Sequence, residues 1–208
     1  MIQAKICGLS TPETIDAAAR HGASHVGFVF YPKSPRNVTP DQAAGLASLL
    51  PPDVARVGVM VDPDDLLVEQ ALLAVPMIAL QLHNVTPARA AQIRRRVSVW
   101  VAIGVRNATD VALARTFKGA ADRILYDAKT PEGTLPGGMG MRFDWTLLSG
   151  IAHPLPWTLS GGLDAHNLTE AARATGARMV DVSSGVESAP GAKDVDKIAA
   201  FLQAAARC

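Results

Sequence analysis

Cysteine is almost missing from this chain: its 208 residues hold two, Cys7 and Cys208. That excludes a disulfide framework, and a bond between the first strand and the last residue is not expected. No leader-like stretch is visible either, so the expected compartment is the reducing cytoplasm. An excess of charge of one sign is also absent. Twenty Lys and Arg face nineteen Asp and Glu, for a net +1, which argues against a nucleic-acid footprint and a polybasic membrane patch. The one basic run, Arg94-Arg95-Arg96, falls where a helix should end, and there the helix dipole favours cations. No apolar run is long enough to span a bilayer. The five His are scattered without ligand spacing, and neither a His-Glu-x-x-His nor a Gly-x-Ser-x-Gly pattern occurs, so no metal site and no nucleophile elbow are expected.

What the chain has is alternation. Runs rich in Val, Ile and Leu, at Ala4–Leu9, His25–Phe30, Arg56–Val61, Ile78–His83, Val97–Val105, Arg123–Asp127, Trp157–Ser160 and Met179–Ser183, alternate with Ala-rich segments of helical period. Several runs lack a polar alternate, as strands covered on both faces do. Helix starts are marked at Thr11-Pro12, Thr39-Pro40, Asp62-Pro63-Asp64, Thr86-Pro87, Asn107 and Leu163-Asp164, with a short helix at Arg142–Ser149 and a last one from about Lys193 to Ala206. Eight such units in one chain of this length predict the α/β class, a single (β/α)8 TIM barrel over residues 1–208, with a doubly wound open sheet as the rival. Barrels of this kind carry their chemistry at the C-terminal ends of the strands.

That rule selects the side chains to weigh. Cys7 ends the first strand beside Gly8 and just before a helix start, a setting that lowers a thiol pKa and suits a base or a nucleophile. The alternative is a small buried hydrophobe. Asp127 ends the sixth strand; it reads as a general acid with a raised pKa, or else as a cap or a partner of Lys129. Three Gly-rich turns fall late in the chain, at Gly137-Gly138-Met139-Gly140, Ser160-Gly161-Gly162-Leu163 and Ser183-Ser184-Gly185-Val186. The last two follow strands seven and eight, where backbone N–H groups commonly hold a phosphate. Arg36 reads as a solvated loop residue or a clamp on a substrate carboxylate or phosphate. His83, at the end of strand four, shares the same face, Asp181 is expected near the barrel mouth, and Glu187 is expected to organise the last turn. The irregular stretch Thr130–Met141 lies on the active face and is long enough to be a lid or a phosphate cradle.

These pieces, in order, resemble the phosphoribosylanthranilate isomerase family over essentially the whole chain. The matching runs are Lys5-Ile6-Cys7-Gly8-Leu9, Gly27-Phe28-Val29-Phe30 with Ser34-Pro35-Arg36, Gln81-Leu82-His83, Leu125-Tyr126-Asp127, Gly137-Gly138-x-Gly140 with Phe143-Asp144-Trp145, Leu159-Ser160-Gly161-Gly162-Leu163, and Asp181-Val182-Ser183-Ser184-Gly185-Val186-Glu187. The resemblance implies an Amadori rearrangement of N-(5-phosphoribosyl)anthranilate in tryptophan biosynthesis, without a cofactor. Asp127 would be the general acid and Cys7, as thiolate, the general base. Arg36 would meet the anthranilate carboxylate with Asp181 nearby. Gly138, Gly140, Gly161, Gly162, Ser183, Ser184 and Gly185 would hold the phosphate, and His83 would line the substrate. The implied partner is a small phosphorylated molecule, and the chain is expected as a monomer or homodimer. Two positions depart from the family pattern: Asn84 stands where Gly usually follows Gln-Leu-His, and Met139 where a hydroxyl residue usually sits. The rivals are another phosphate-binding barrel enzyme, such as a sugar-phosphate epimerase or the ProFAR-type isomerase, and a non-catalytic barrel that senses a phosphorylated ligand.

Overall fold

The computed structural model describes residues 2–131, 134 and 137–208. Eight parallel strands pair in sequence order and close on themselves: β1 (Gln3–Cys7), β2 (His25–Phe30), β3 (Ala55–Val61), β4 (Ala79–His83), β5 (Ser98–Val105), β6 (Arg123–Ala128), β7 (Trp157–Leu159) and β8 (Met179–Val182). Because β1 bonds to both β2 and β8, the open-sheet rival is excluded.

Register decides which side chains look inward, since paired residues on neighbouring strands point the same way. Lys5 pairs with Asp181 and Cys7 with Gly27. Val59 pairs with Gln81, Val61 with His83 and Gly104 with Asp127. Every one of these lies on the inner face. An apolar group of Val57, Ala79, Trp100 and Met179 fills one layer of the interior, and Cys7, Val29 and Val59 pack together in another. The outward set, including Ile6, Phe28, Phe30, Leu80, Leu82 and Ile124, forms the large core against the helices. Each such side chain contributes about 1.5–3 kcal/mol on burial, so this shell holds the barrel closed.

The helices start where the sequence places caps. Thr11, Thr39, Asp64, Thr86 and Asn107 each accept a backbone N–H at the head of α1 (Pro12–Arg20), α2 (Pro40–Ala47), α3 (Asp65–Ala74), α4 (Pro87–Arg94) and α5 (Ala108–Ala112). Several expectations need correction or addition. The helix expected over Arg142–Ser149 is a 3-10 turn, Trp145–Leu148, capped by Asp144 and followed by left-handed Gly150. α6 (Leu168–Thr175) begins several residues after Asp164. The Asp164 carboxylate takes the N–H groups of His166 and Asn167, while Asn167 takes that of Asp164; these side-chain bonds close a turn and delay the helix. After β8 the chain makes a 3-10 turn, Ser184–Val186, and a small hairpin of β9 (Glu187–Ala189) and β10 (Ala192–Lys193). Only then does α7 (Val195–Ala206) start, capped by Asp194. β1 also stops at Cys7 rather than Leu9, because Gly8 turns left-handed at φ +79.

Candidate active site

Cys7 and Asp127 line one cavity of about 550 Å³ at the C-terminal mouth of the barrel, with Arg36, Gln81, His83, Asp181 and Ser183. A cleft of about 320 Å³ opens beside it and shares Asp127, Gly138, Ser160, Asp181 and Ser183. Gly140, Gly161, Gly162, Ser184 and Gly185 also line that cleft. The structure therefore gathers all twelve expected site residues at one end of the barrel.

Among the described residues Asp127 forms no ion pair, although the buried Lys5 ammonium is near enough to lower its pKa a little. Lys129 turns instead to Asp110, at 2.8 Å, which removes the reading of Asp127 as its ion-pair partner. The Asp127 carboxylate accepts the N–H of Ala128 at 2.8 Å. Burial, reinforced by the nearby Asp181 carboxylate, pushes its pKa up to about 7, so a substantial share is protonated near neutrality. Cys7 departs from expectation. Burial raises its pKa, and Lys5 opposes that rise most strongly. Left-handed Gly8 leads the chain out of β1, and α1 begins only at Pro12. Lys5 is the strongest influence favouring the thiolate, with Lys193 adding to it; the Lys5 side chain is fully buried and bonded to Asp181 at 2.8 Å.

Arg36 is not solvated. Its Nε donates to Glu187 Oε1 at 2.6 Å, and its Nη2 donates to Glu187 Oε2 at 2.7 Å and to the Gly138 carbonyl at 3.0 Å. Glu187 thus does more than shape its turn: it clamps Arg36, pairs with Lys193 at 2.7 Å and accepts the Gly191 N–H. Nη1 of Arg36 has no hydrogen-bond partner among the described residues and remains available to an anion. His83 is buried, and burial, with Lys5 adding to it, lowers its pKa to about 4. It is a neutral ring at physiological pH, 3.2 Å from the Gln81 amide nitrogen. Asp181 lies inside the mouth, as expected.

The Gly-rich turns are built on glycine for steric reasons. A Cβ on Gly161 would come within 2.6 Å of the Ala128 nitrogen, and one on Gly185 would run into the Leu163 carbonyl. No side chain caps the 3-10 turn that begins at Ser184. Ser183 Oγ donates to the Cys7 carbonyl at 3.2 Å and accepts from Lys193, so this serine ties β8 to β1. Asn84 sits at φ +56, a left-handed conformation that asparagine tolerates better than most residues and that suits glycine. That accounts for the first departure from the family pattern. Met139 is half exposed on the cleft wall.

Sequence reading assigned no role to Lys5, Lys193, Ser160 or Gln81. Lys5 was detectable: it is a charge in an apolar strand two residues before Cys7, hence on the same face. Gln81 is buried, and its amide oxygen finds no hydrogen-bond partner among the described residues. Among those residues, no group of three or more His, Cys, Asp or Glu is placed to hold a metal ion.

The sequence model of the N-(5'phosphoribosyl)anthranilate (PRA) isomerase family matches residues 4–204. N-(5'-phosphoribosyl)anthranilate isomerase of Zymomonas mobilis subsp. mobilis is 55% identical over 207 residues, covering 98% of this chain and 97% of its own. The Rhodospirillum centenum protein of the same name is 51% identical over 210 residues, covering 99% and 98%. The crystal structure of phosphoribosyl anthranilate isomerase from Thermotoga maritima superposes with a TM-score of 0.90 at 37% identity over 100% of both chains. A structure of such an enzyme in complex with reduced 1-(o-carboxyphenylamino)-1-deoxyribulose 5-phosphate superposes with a TM-score of 0.88 at 35% identity, again over 100% of both. A family match of this length, together with relatives of this identity, settles the question of descent: the chain belongs to the N-(5'-phosphoribosyl)anthranilate isomerase family.

Proposed function

We propose that the family's isomerisation, the Amadori rearrangement of N-(5'-phosphoribosyl)anthranilate to 1-(2-carboxyphenylamino)-1-deoxyribulose 5-phosphate in tryptophan biosynthesis, runs here on Asp127 as general acid and Cys7 as general base. The supporting observation is that both side chains line one cavity, from different strands of the barrel mouth. Protonated Asp127 gives its proton to the ribose ring oxygen, and the C1–O bond opens to an iminium. The Cys7 thiolate takes the proton from C2. The resulting enolamine gains a proton at C1 and loses one from the C2 hydroxyl, leaving the ketone, so the product is an isomer of the substrate and no net proton is consumed. Arg36, held by Glu187, meets the anthranilate carboxylate. The turns at Gly138–Gly140, Gly161-Gly162 and Ser183–Gly185 receive the phosphate through backbone N–H groups. The unit that does this is the whole chain, 1–208, working on a small phosphorylated substrate in the cytoplasm, as monomer or homodimer. Among the described residues no helix is long and apolar enough to cross a membrane.

The test is the fluorescence time course of freshly made phosphoribosylanthranilate. Wild type should consume it, and Cys7→Ser should lose about 10²–10⁴-fold in rate, the usual worth of a positioned general base. A Cys7→Ser enzyme of near wild-type rate would remove Cys7 from the mechanism. Alanine at Gly185 should weaken product binding by about 1–3 kcal/mol, the usual strain of an inserted methyl in a filled site, while the rate of Cys7 alkylation stays unchanged. Slowed alkylation in that variant would mean the damage reaches beyond the phosphate turn.

The pH dependence follows from the two groups' order. The acid must be protonated and the base ionised, yet Asp127 titrates near 7 and Cys7 above its ordinary range. Below pH about 7 the thiolate fraction limits the rate, so kcat/KM rises with pH. Above it, each gain in thiolate is matched by a loss of protonated Asp127, and the profile is flat until the thiol itself titrates. A profile already falling just above pH 7 would show the thiol ionising below the carboxyl and would overturn this ordering.

A further inference from the structure

Two buried ionised groups, Lys5 and Asp181, sit between the proposed base and the proposed acid. Lys5 Nζ and Cys7 Sγ both lie 3.0 Å from the point a Cβ on Gly27 would occupy, so ammonium and thiol share one small space that only a glycine on β2 leaves open. On its other side Lys5 Nζ bonds Asp181 Oδ1 at 2.8 Å, with both side chains at or below 4% exposure. Asp181 Oδ2 faces Ser160 Oγ on the β7 side, and Asp181 lines the same two hollows as Asp127. The cationic end of the pair is therefore turned to β1 and Cys7, and the anionic end to β7, β6 and Asp127.

We infer that the Lys5–Asp181 ion pair is a fixed dipole that positions charge for the reaction, its ammonium stabilising the Cys7 thiolate and its carboxylate keeping Asp127 protonated. A buried ion pair contributes little to stability compared with an apolar pair of the same volume, so stability alone gives no reason for a lysine and an aspartate in the barrel interior. In a low-dielectric interior their fields act strongly on neighbours a few ångströms away. Around Cys7 the other charged groups are Lys193 on β10, Arg36 after β2 and Glu187 on β9. Glu187 bonds both cations, which leaves that cluster one net positive charge, and Lys193 also favours the thiolate, though less than Lys5 does. His83 on β4 is neutral. Lys5 is the cation that answers a charge on sulfur most strongly, and it shares the Gly27 space with the thiol. Burial works against the Lys5 charge, and Asp181 and Cys7 outweigh it, so the ammonium persists across the working range.

The inference deepens the acid–base reading given above, and its test needs no turnover, so the two can fail separately. The rate of iodoacetamide labelling at Cys7, followed by peptide mass spectrometry to separate it from Cys208, is measured against pH. In Lys5→Met the labelling midpoint should move up by about one pH unit or more, which is about tenfold less thiolate at a given pH. In Asp181→Asn the ammonium stays and the neighbouring negative charge goes, so the midpoint should move down. The rising limb of kcat/KM, read on the same Asp181→Asn protein, should shift in line with a lower Asp127 pKa. Opposite shifts from two ends of one ion pair are the signature; a merely structural pair would change melting temperature and leave both midpoints in place. Should Lys5→Met fail to fold, Asp181→Asn alone decides. A Cys7 midpoint that stays put or rises in that variant overturns the inference.

Discussion

Asp127→Asn is expected to cost about 10²–10⁴-fold in kcat, the range for a lost general acid, and at the same time to make the folded protein more stable at pH 8. Both effects have one cause. Burial and Asp181 hold the carboxyl at a pKa of about 7, against about 3.9 in an unfolded chain. A group that binds its proton more tightly when folded loses folding stability as pH climbs from the unfolded to the folded value. The wild type therefore bears this penalty progressively between about pH 4 and 7, and in full above that. At about 1.4 kcal/mol per pH unit the ceiling is roughly 4 kcal/mol, an upper figure because Asp127 still shows part of its surface to solvent. Asparagine has nothing to ionise, so the variant escapes the penalty. Thermal melts of both proteins should differ more at pH 8 than at pH 5, with the inactive variant the higher. A variant that melts below wild type at pH 8 would mean the carboxylate is stabilised in the fold, and the acid role would lose its physical basis.

Such a trade explains which parts of the site could be read in advance. The barrel was legible because its signals are local: apolar runs for strands, and Thr-Pro or Asp at helix heads. Cys7 and Asp127 were legible because a strand end in such a barrel is a chemical address. What sequence alone did not show is how side chains from distant segments pair. Whether Asp127 bonds Lys129, two residues on, or leaves it to Asp110 depends on how β5 and β6 sit side by side. The direction of the Cys7 shift was misjudged for a similar reason. Proximity in sequence to a helix start suggested a lowered pKa, but Gly8 redirects the chain, and the burial that raises it comes from the closed barrel. The β9–β10 hairpin escaped notice because its strands, Glu187–Ala189 and Ala192–Lys193, are too short to carry a period.

That hairpin carries the second large effect. Glu187→Ala should destabilise the protein by about 3–5 kcal/mol, the cost of leaving buried charges without their counter-ion. The carboxylate is 4% exposed and takes both Nε and Nη2 of Arg36, the Lys193 ammonium and the Gly191 N–H. Removing it strands two cations whose side chains are 8% and 1% exposed, and they then repel each other. Burial already works against the Lys193 charge and lowers its pKa, with Glu187 the main opposing influence, so part of the loss should be relieved at high pH as the lysine gives up its proton. Salt should help little, since buried charges are poorly screened. The exposed pair Arg20–Asp16 on α1 supplies the contrast: Asp16→Ala should change stability by no more than about 0.5 kcal/mol. Because Glu187 also fixes the plane of the Arg36 guanidinium, the Glu187→Ala enzyme should show a larger change in KM than in kcat if Arg36 meets the substrate carboxylate as proposed, with the proposed acid–base pair left in place. Denaturant titration and steady-state kinetics on the same preparation measure both. Stability within about 0.5 kcal/mol of wild type would show that Arg36 and Lys193 find other partners, and a fall confined to kcat would move Arg36 from binding the substrate to acting on its reacting atoms.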